Sequence, residues 1–207
     1  EPRGTVVVST AAGAVGQVIG QIAKIMGCKV LGITGSPEKM DFVVNDQGFD
    51  HGINYKIQDV HNAIPAICPE GIDVYFDNVG GQVTDAVFEN IRTGVRIAVC
   101  GQISQYNLKQ SELAPHNLAM LGTRHARMEG FLVNKFAGGF DQARTRIGGW
   151  IEIGQLRCRE DVVEGLQNAP KAFIGMMTGQ KLWETTRQGD RRIAWGSESI
   201  VGQANIP

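Results

Sequence analysis

The chain has 207 residues, of which 43% are hydrophobic and 20% charged, with a formal net charge of -1. That balance excludes the strongly basic surface of a nucleic-acid or anionic-membrane binder, and no apolar run approaches the roughly 20 residues of a membrane helix. The length suits one substantial domain, and the start Glu1-Pro2-Arg3-Gly4 has no signal-peptide character, so the expected location is cytoplasmic.

Val6-Val7-Val8 is short, β-branched and apolar, the pattern of a strand buried on both faces. Val15 to Met26 has helical spacing, with Val15, Ile19, Ile22, Ala23 and Met26 on one side, and Gly27 ends it. Lys29 to Thr34 is a second strand. Ser36-Pro37-Glu38 starts a second helix, with Ser36 as N-cap and Pro37 at the first helical position. A short third strand at Ile53–Tyr55 precedes a helix over Val60–Ile67. Ile72–Phe76 is a fourth strand, Val83–Ile91 a helix, Val95–Cys100 a fifth strand, Met128–Val133 a sixth, and Phe140–Ile153 a helix. Strands alternating with helices predict right-handed crossovers and an α/β, doubly wound parallel sheet of the Rossmann type.

The stretch VVVSTAAGAVGQVIG places its smallest residues where the first strand passes to the first helix. It is the glycine-rich dinucleotide turn, with Ala11 in the place of the first glycine. Gly13 lets backbone approach a pyrophosphate, Gly16 lets the helix lie close on the strand, and the helix start supplies free N–H groups. The second strand ends Ile33-Thr34-Gly35-Ser36, without the acid that takes a ribose 2′-hydroxyl in an NAD site. Ser36 can hydrogen-bond a 2′-phosphate and Lys39 attracts it, so NADPH is the expected cofactor. Asn78 and Tyr106 follow the fourth and fifth strands, at the edge where such sheets bind ligands. Asp73 and Asp77 share a strand face but lie about 13 Å apart along it, too far for an acid pair.

Cys28, Cys68, Cys100 and Cys158 form no CxxC pair, and none has a histidine at metal-ligand spacing. They are expected to be small core residues in a reducing compartment, and no metal is expected.

The motifs AAGAVG, GSPEK, INYK, GIDVYFDNVGG, CGQISQYN, EGFLV and REDVVEGLQNAPKAFIGMMTGQ occur in that order. With them the chain resembles the zinc-free medium-chain dehydrogenase/reductases, in the branch of the prostaglandin reductases, leukotriene 12-hydroxydehydrogenases and 2-alkenal or curcumin reductases. The resemblance runs from about residue 4 to about residue 180. It implies NADPH-dependent reduction of a carbon–carbon double bond conjugated to a carbonyl, on a small-molecule enone, in a homodimer joined along the outer sheet edge. It also implies that Gly13, Ala14, Val15 and Gly16 hold the pyrophosphate and that Lys39, with Tyr55 beside it, meets the 2′-phosphate. Asn78 would sit over the cofactor. Cys100, Gly101, Gln102, Ile103, Ser104, Gln105 and Tyr106 would line it, and Phe131, Leu132 and Val133 would flank the nicotinamide. Tyr106 is the candidate catalytic hydroxyl near ribose and substrate. A quinone reductase of the same superfamily and a non-catalytic NADPH-binding module are the alternative functions.

Two departures accompany the resemblance. The family's N-terminal, GroES-like substrate domain is missing, so the chain is expected to be a piece of a longer enzyme, with little or no activity alone. The expected organisation is an NADP-binding domain at 1–154, a segment returning toward the missing domain at 155–180, and a frameshifted or disordered tail at 181–207. Lys181 to Arg187 can be encoded AAA CTT TGG GAA ACT ACT CGT; with one A removed after a Gln codon, the frame reads Asn-Phe-Gly-Lys-Leu-Leu-Val, the ending the family resemblance implies. Sequencing the gene across codon 180 should show that A-run, and a gene without it overturns the frameshift.

Overall fold

The computed structural model describes residues 4–106, 108–110, 117–160 and 163–177. Six parallel strands form one sheet: β1 (Thr5–Ser9), β2 (Lys29–Thr34), β3 (His51–Asn54), β4 (Ile72–Asp77), β5 (Ile91–Val99) and β6 (Arg127–Gly130). Their order is β3-β2-β1-β4-β5-β6, so the chain winds outward one way from β1 and then the other way from β4. Ligands of doubly wound sheets bind at that reversal, outside the carboxyl ends of the strands. The crossovers are α1 (Ala14–Ile25), α2 (Pro37–Asp41) running into a π-helical turn at Phe42–Asp46, α3 (Val60–Ile67) and α4 (Gly81–Phe88); α5 (Ala119–Thr123) precedes β6 and α6 (Phe140–Glu152) follows it. Ser9 pairs with Ile33, Thr34 with Asn54, Asp77 with Val99 and Val99 with Gly130. The last residues of all six strands therefore share one edge. Val7, Leu31, Ile53, Ile64, Ile72, Tyr75 and Ile97 make the centre of the core, each at most 2% exposed.

Helix α1 is where patterning and packing part. Its apolar stripe is buried only at Ala23: Val15 and Met26 are each 48% exposed, while Gly16, Gln17, Gly20 and Gln21 face inward. Two physical reasons account for it. First, Phe49 wedges between α1 and β2 in space that only glycine leaves open. A Cβ on Gly20 would fall 1.8 Å from Phe49 Cζ, and one on Gly32 would fall 3.0 Å from Phe49 Cδ2. Second, Gln17 and Gln21 each bind a main-chain residue at both ends. Gln21 donates to Arg157 O and accepts from Arg157 N, both at 2.8 Å, and Gln17 does the same with Arg159 at 3.2 and 3.0 Å. Residues four apart on a helix thus grip residues two apart on an extended segment. Left unpaired, those buried amides would cost more than the partial exposure of Val15.

The ends of α1 follow local rules. Gly27 has φ +80°; its N–H reaches Lys24 O, and the N–H of Cys28 reaches Ala23 O, both at 2.9 Å. This is the Schellman arrangement that stops a helix on a left-handed residue.

Several expected boundaries move. The fourth helix ends at Phe88 rather than Ile91, and Ile91 instead opens β5. Gly94, with φ +82°, lets β5 bulge and resume, and the ladder with β4 shifts register between Ile72 and Val74. The third strand ends at Asn54, leaving Tyr55 outside it. The sixth strand ends at Gly130, not Val133, because its partner β5 ends at Val99 and offers no ladder beyond. Of the four cysteines only Cys68 is buried; Cys28 and Cys100 are half-buried and Cys158 is exposed, so the expectation of core cysteines holds for one.

The chain divides into units after Glu160. In the second unit a 3₁₀ turn at Leu166–Asn168 leads into α7 (Ala169–Met177). The tail expected from residue 181 lies outside the described residues.

Gly20→Ala is expected to lower the unfolding free energy by about 1–3 kcal/mol, because the added methyl collides with the Phe49 ring. Gly122→Ala, in α5 with open space around it, should stay within about 0.5 kcal/mol of the parent; urea denaturation followed by circular dichroism checks both.

Candidate functional site

The first turn carries β1 into α1 across Thr10–Gly13. Thr10 adopts φ +51°, a left-handed conformation that is a genuine outlier for a β-branched residue. Its carbonyl accepts the Gly13 N–H at 2.9 Å. A Cβ on Gly16 would sit 2.3 Å from Thr10 O and 2.8 Å from Ala11 Cα, and one on Gly13 would sit 3.0 Å from Thr10 Cγ2. The turn itself therefore requires glycine at position 16, while at position 13 a side chain would meet a tight contact with Thr10. Gly13 is the N-cap of α1, gives no side-chain cap, and no acid occupies the first helical turn. The N–H groups of Ala14, Val15 and Gly16 have no acceptor within the helix, and Ala14 and Val15 are exposed. An open helix start of this kind attracts an anion.

At the end of β2, Ser36 caps α2 as expected: its Oγ accepts the Lys39 N–H at 3.2 Å. The hydroxyl proton of Ser36 is not used in that bond, so it remains a donor. No hydrogen bond or ion pair engages the half-buried Lys39 ammonium among the described residues. Tyr55, 46% exposed, follows β3 and lies over Gly35, its Cε1 3.0 Å from where a Cβ of Gly35 would be. A cleft of about 170 Å³ opens beside it, between Tyr55, Gln58, Val60 and His61 and the start of α4 at Gln82 and Val83.

The ends of β1, β4 and β5 are tied together by a polar network that sequence reasoning did not find. Asp77 is fully buried. Its Oδ1 accepts from the N–H groups of Val79 and Gly80 and from the Tyr75 hydroxyl, each at 2.9 Å, and from Ser9 Oγ at 3.3 Å; its Oδ2 accepts from Thr84 Oγ1 at 2.8 Å. Burial pushes the Tyr75 phenol well above its ordinary pKa, and the Asp77 charge adds to the rise. The Asn78 side chain is turned to Ser9 rather than held free: Nδ2 donates to Ser9 O and the main-chain N–H to Ser9 Oγ, both at 2.8 Å. The only signal in the sequence is polar Tyr75 and Asp77 following Asp73 on one face of the strand. Asp73, at the other end of that strand, accepts from Thr5 N at 2.7 Å and pairs with Arg92 at 3.4 Å.

Beyond β5, Cys100 N and Gly101 N donate to Asp77 O at 2.8 and 3.1 Å. Gln102 and Ile103 are exposed. Ser104 Oγ donates to Val79 O at 2.6 Å and accepts from Gln105 Nε2 at 3.1 Å. Tyr106, 63% exposed, folds its hydroxyl back onto its own loop, where it accepts the Gln102 N–H at 3.3 Å. That leaves the phenolic proton unspent. Past β6, Phe131 packs edge-on against Phe76 and Phe136, with ring centroids 6.1 and 5.6 Å apart. Leu132 and Val133 stand 73% and 70% exposed. The structure thus places Gly13, Asn78, Cys100–Tyr106 and Phe131 along the carboxyl edge of β1, β4, β5 and β6. Ser36, Lys39 and Tyr55 lie at the ends of β2 and β3.

A parallel doubly wound sheet with an uncapped, glycine-started helix at the turn after β1 defines the class of dinucleotide-binding α/β folds. Within that class the chain belongs to the family described as zinc-binding dehydrogenase, whose profile matches residues 14–143. It is 47% identical over 179 residues to the 2-alkenal reductase (NADP(+)-dependent) of Nicotiana tabacum, covering 86% of this chain and 52% of that protein. It is 45% identical over 185 residues to prostaglandin reductase 1 of Mus musculus, covering 87% and 55%. Among solved structures it is similar to CurA from Vibrio vulnificus in complex with NADPH, at a TM-score of 0.84 and 39% identity over 88% of this chain and 56% of that one. The chain spans about half the length of the curated relatives it matches. Among the described residues there is no group of three or more His, Cys, Asp or Glu that could hold a metal ion. Among the described residues no helix is long and apolar enough to cross a membrane.

Thr10→Gly is expected to relieve the left-handed strain and to raise the unfolding free energy by about 1 kcal/mol, net of the added freedom of the unfolded chain. Thermal unfolding monitored by calorimetry checks the sign.

Proposed function

We propose that this chain is the NADPH-holding part of a reductase that saturates the carbon–carbon double bond of α,β-unsaturated aldehydes or ketones. One observation carries the cofactor half: an uncapped helix start behind Gly13 shares its sheet edge with a cation-bearing cap at Ser36 and Lys39 and with no acid at the end of β2. The pyrophosphate lies against the N–H groups of Ala14, Val15 and Gly16, in the space the missing side chain of Gly13 leaves. The Ser36 hydroxyl and the Lys39 ammonium take the 2′-phosphate, a pairing an acid at that position would oppose. Tyr55, already seated on Gly35, walls the adenosine, and the cleft from Gln58 to Val83 takes the adenine ring.

The reaction half is supported by the relatives, among them the tobacco 2-alkenal reductase and the (+)-pulegone reductase of Mentha piperita, 45% identical over 86% of this chain. NADPH supplies the hydride for the β-carbon when bound. The chain's own residues orient and enclose: Asn78 and Cys100–Gln105 floor the nicotinamide ribose, and Phe131, Leu132 and Val133 exclude water beside the ring. The Tyr106 hydroxyl, whose proton is unspent, donates to ribose or substrate. In the same reading residues 1–154 are the NADP-binding domain and 155–180 the segment returning toward a substrate domain. The enzyme is cytoplasmic, and two copies join along the free β6 edge beside Leu132 and Val133.

Titration of the chain with NADPH and NADH, followed by tryptophan fluorescence, tests the reading. NADPH should bind tighter by about tenfold or more, as a charge-assisted phosphate pair implies, and Lys39→Ala should abolish the preference. Equal affinities of the parent chain for the two cofactors would overturn it.

A further inference from the structure

Asp77 is a fully buried carboxylate with no cationic partner among the described residues, yet five donors converge on it. Buried charges persist only where their hydrogen-bonding capacity is filled, so the question is what these bonds hold in place. Through Ser9 Oγ the carboxylate reaches the last residue before the glycine-rich turn, and Asn78 doubles that link by binding Ser9 O and Oγ. Through Val79 N and Gly80 N it shapes the turn into α4, and through Tyr75 and Thr84 it closes the underside. The carbonyl of the same residue holds Cys100 N and Gly101 N. One residue therefore spaces three of the turns on the carboxyl edge. None of these bonds reaches Ser36, Lys39 or Tyr55.

We propose that Asp77 is a positioning residue for the pyrophosphate and nicotinamide half of the bound cofactor, joining the turns after β1, β4 and β5 into one rigid floor while leaving the adenosine end independent. This rests on the cofactor reading above. Asp77→Asn keeps the shape and one acceptor oxygen but removes the charge and turns an NH₂ group toward a donor or toward the Thr84 hydroxyl. The turns lose part of what fixes their spacing, although hydroxyl rotation at Thr84 and Tyr75 lets the fold survive.

The test compares two ligands and one spectrum. Asp77→Asn should weaken NADPH binding by about tenfold, the scale of one charge-assisted hydrogen bond. Adenosine 2′-monophosphate, which lacks both the pyrophosphate and the nicotinamide half, should keep its affinity within about twofold, since no altered bond reaches Ser36, Lys39 or Tyr55. Amide hydrogen exchange by NMR should quicken at Asn78, Val79, Gly80 and Gly13 and stay unchanged at Val30 in β2. A variant that is merely destabilised would weaken both ligands alike and exchange faster throughout, and either result overturns the proposal. Should Asp77→Asn not fold, Thr84→Val, which removes the Oδ2 donor and the Thr84–Tyr75 hydroxyl contact but leaves the carboxylate and its four Oδ1 donors, is measured the same way and should shift the same ligand ratio by a smaller factor. If the parent chain binds neither ligand, the cofactor reading falls and this proposal with it. If the parent binds both and the variants lose both equally, only the positioning role falls.

Discussion

Backbone meets backbone at Gly16 more closely than any side chain would permit. The Thr10 carbonyl and the Ala11 Cα occupy the volume a methyl group would need, so α1 begins directly on the end of β1. The same closeness recurs further along the helix, where Gly20 and Gly32 leave room for Phe49. These contacts fix the distance of α1 from the sheet, and from that distance follow the others. The first turn must be tight enough to force Thr10 into a left-handed conformation, and the helix must begin without a side-chain cap. What makes the turn able to receive an anion is thus the same packing that makes it costly to build, as is common where backbone strain gathers at binding sites.

The edge opposite in character to this bare turn is the polar seam around Asp77. A buried carboxylate with no cation beside it among the described residues persists only because N–H and O–H groups surround it. Its partners come from β1, β4 and the start of α4, elements that meet where the strand order reverses. Apolar packing sets the sheet's thickness but is non-directional. The directional bonds at the reversal decide how the turns are spaced across it.

Much of this architecture was legible in the chain because local rules and the tertiary fold agree. Lys29–Thr34 and Val60–Ile67 begin and end where their apolar runs and flanking turn residues say they should, and Ser36 and Pro37 do what a cap and a first helical position do. The glycine-rich turn was readable for the same reason. What could not be read was decided across long stretches of chain. The inward face of α1 depends on residues 157 and 159, more than a hundred positions away, so a helical wheel put Val15 and Met26 inside and missed Gln17 and Gln21. Strand spacing sets Asp77 only against Asp73, whereas its donors converge from Ser9 on another strand and from the turn and helix beyond its own, as well as from Tyr75. Asn78 was placed at the right edge, but its side chain proves committed to Ser9.

The paired glutamines of α1 have an implication for how the protein can vary. Gln17 and Gln21 read Arg157 and Arg159 only through N–H and C=O groups that nearly every amino acid carries. The clasp is therefore blind to side-chain identity, even though the Arg159 guanidinium also lies over the Phe42 ring at 5.5 Å. Proline alone, which brings no N–H, would open the clasp at either position.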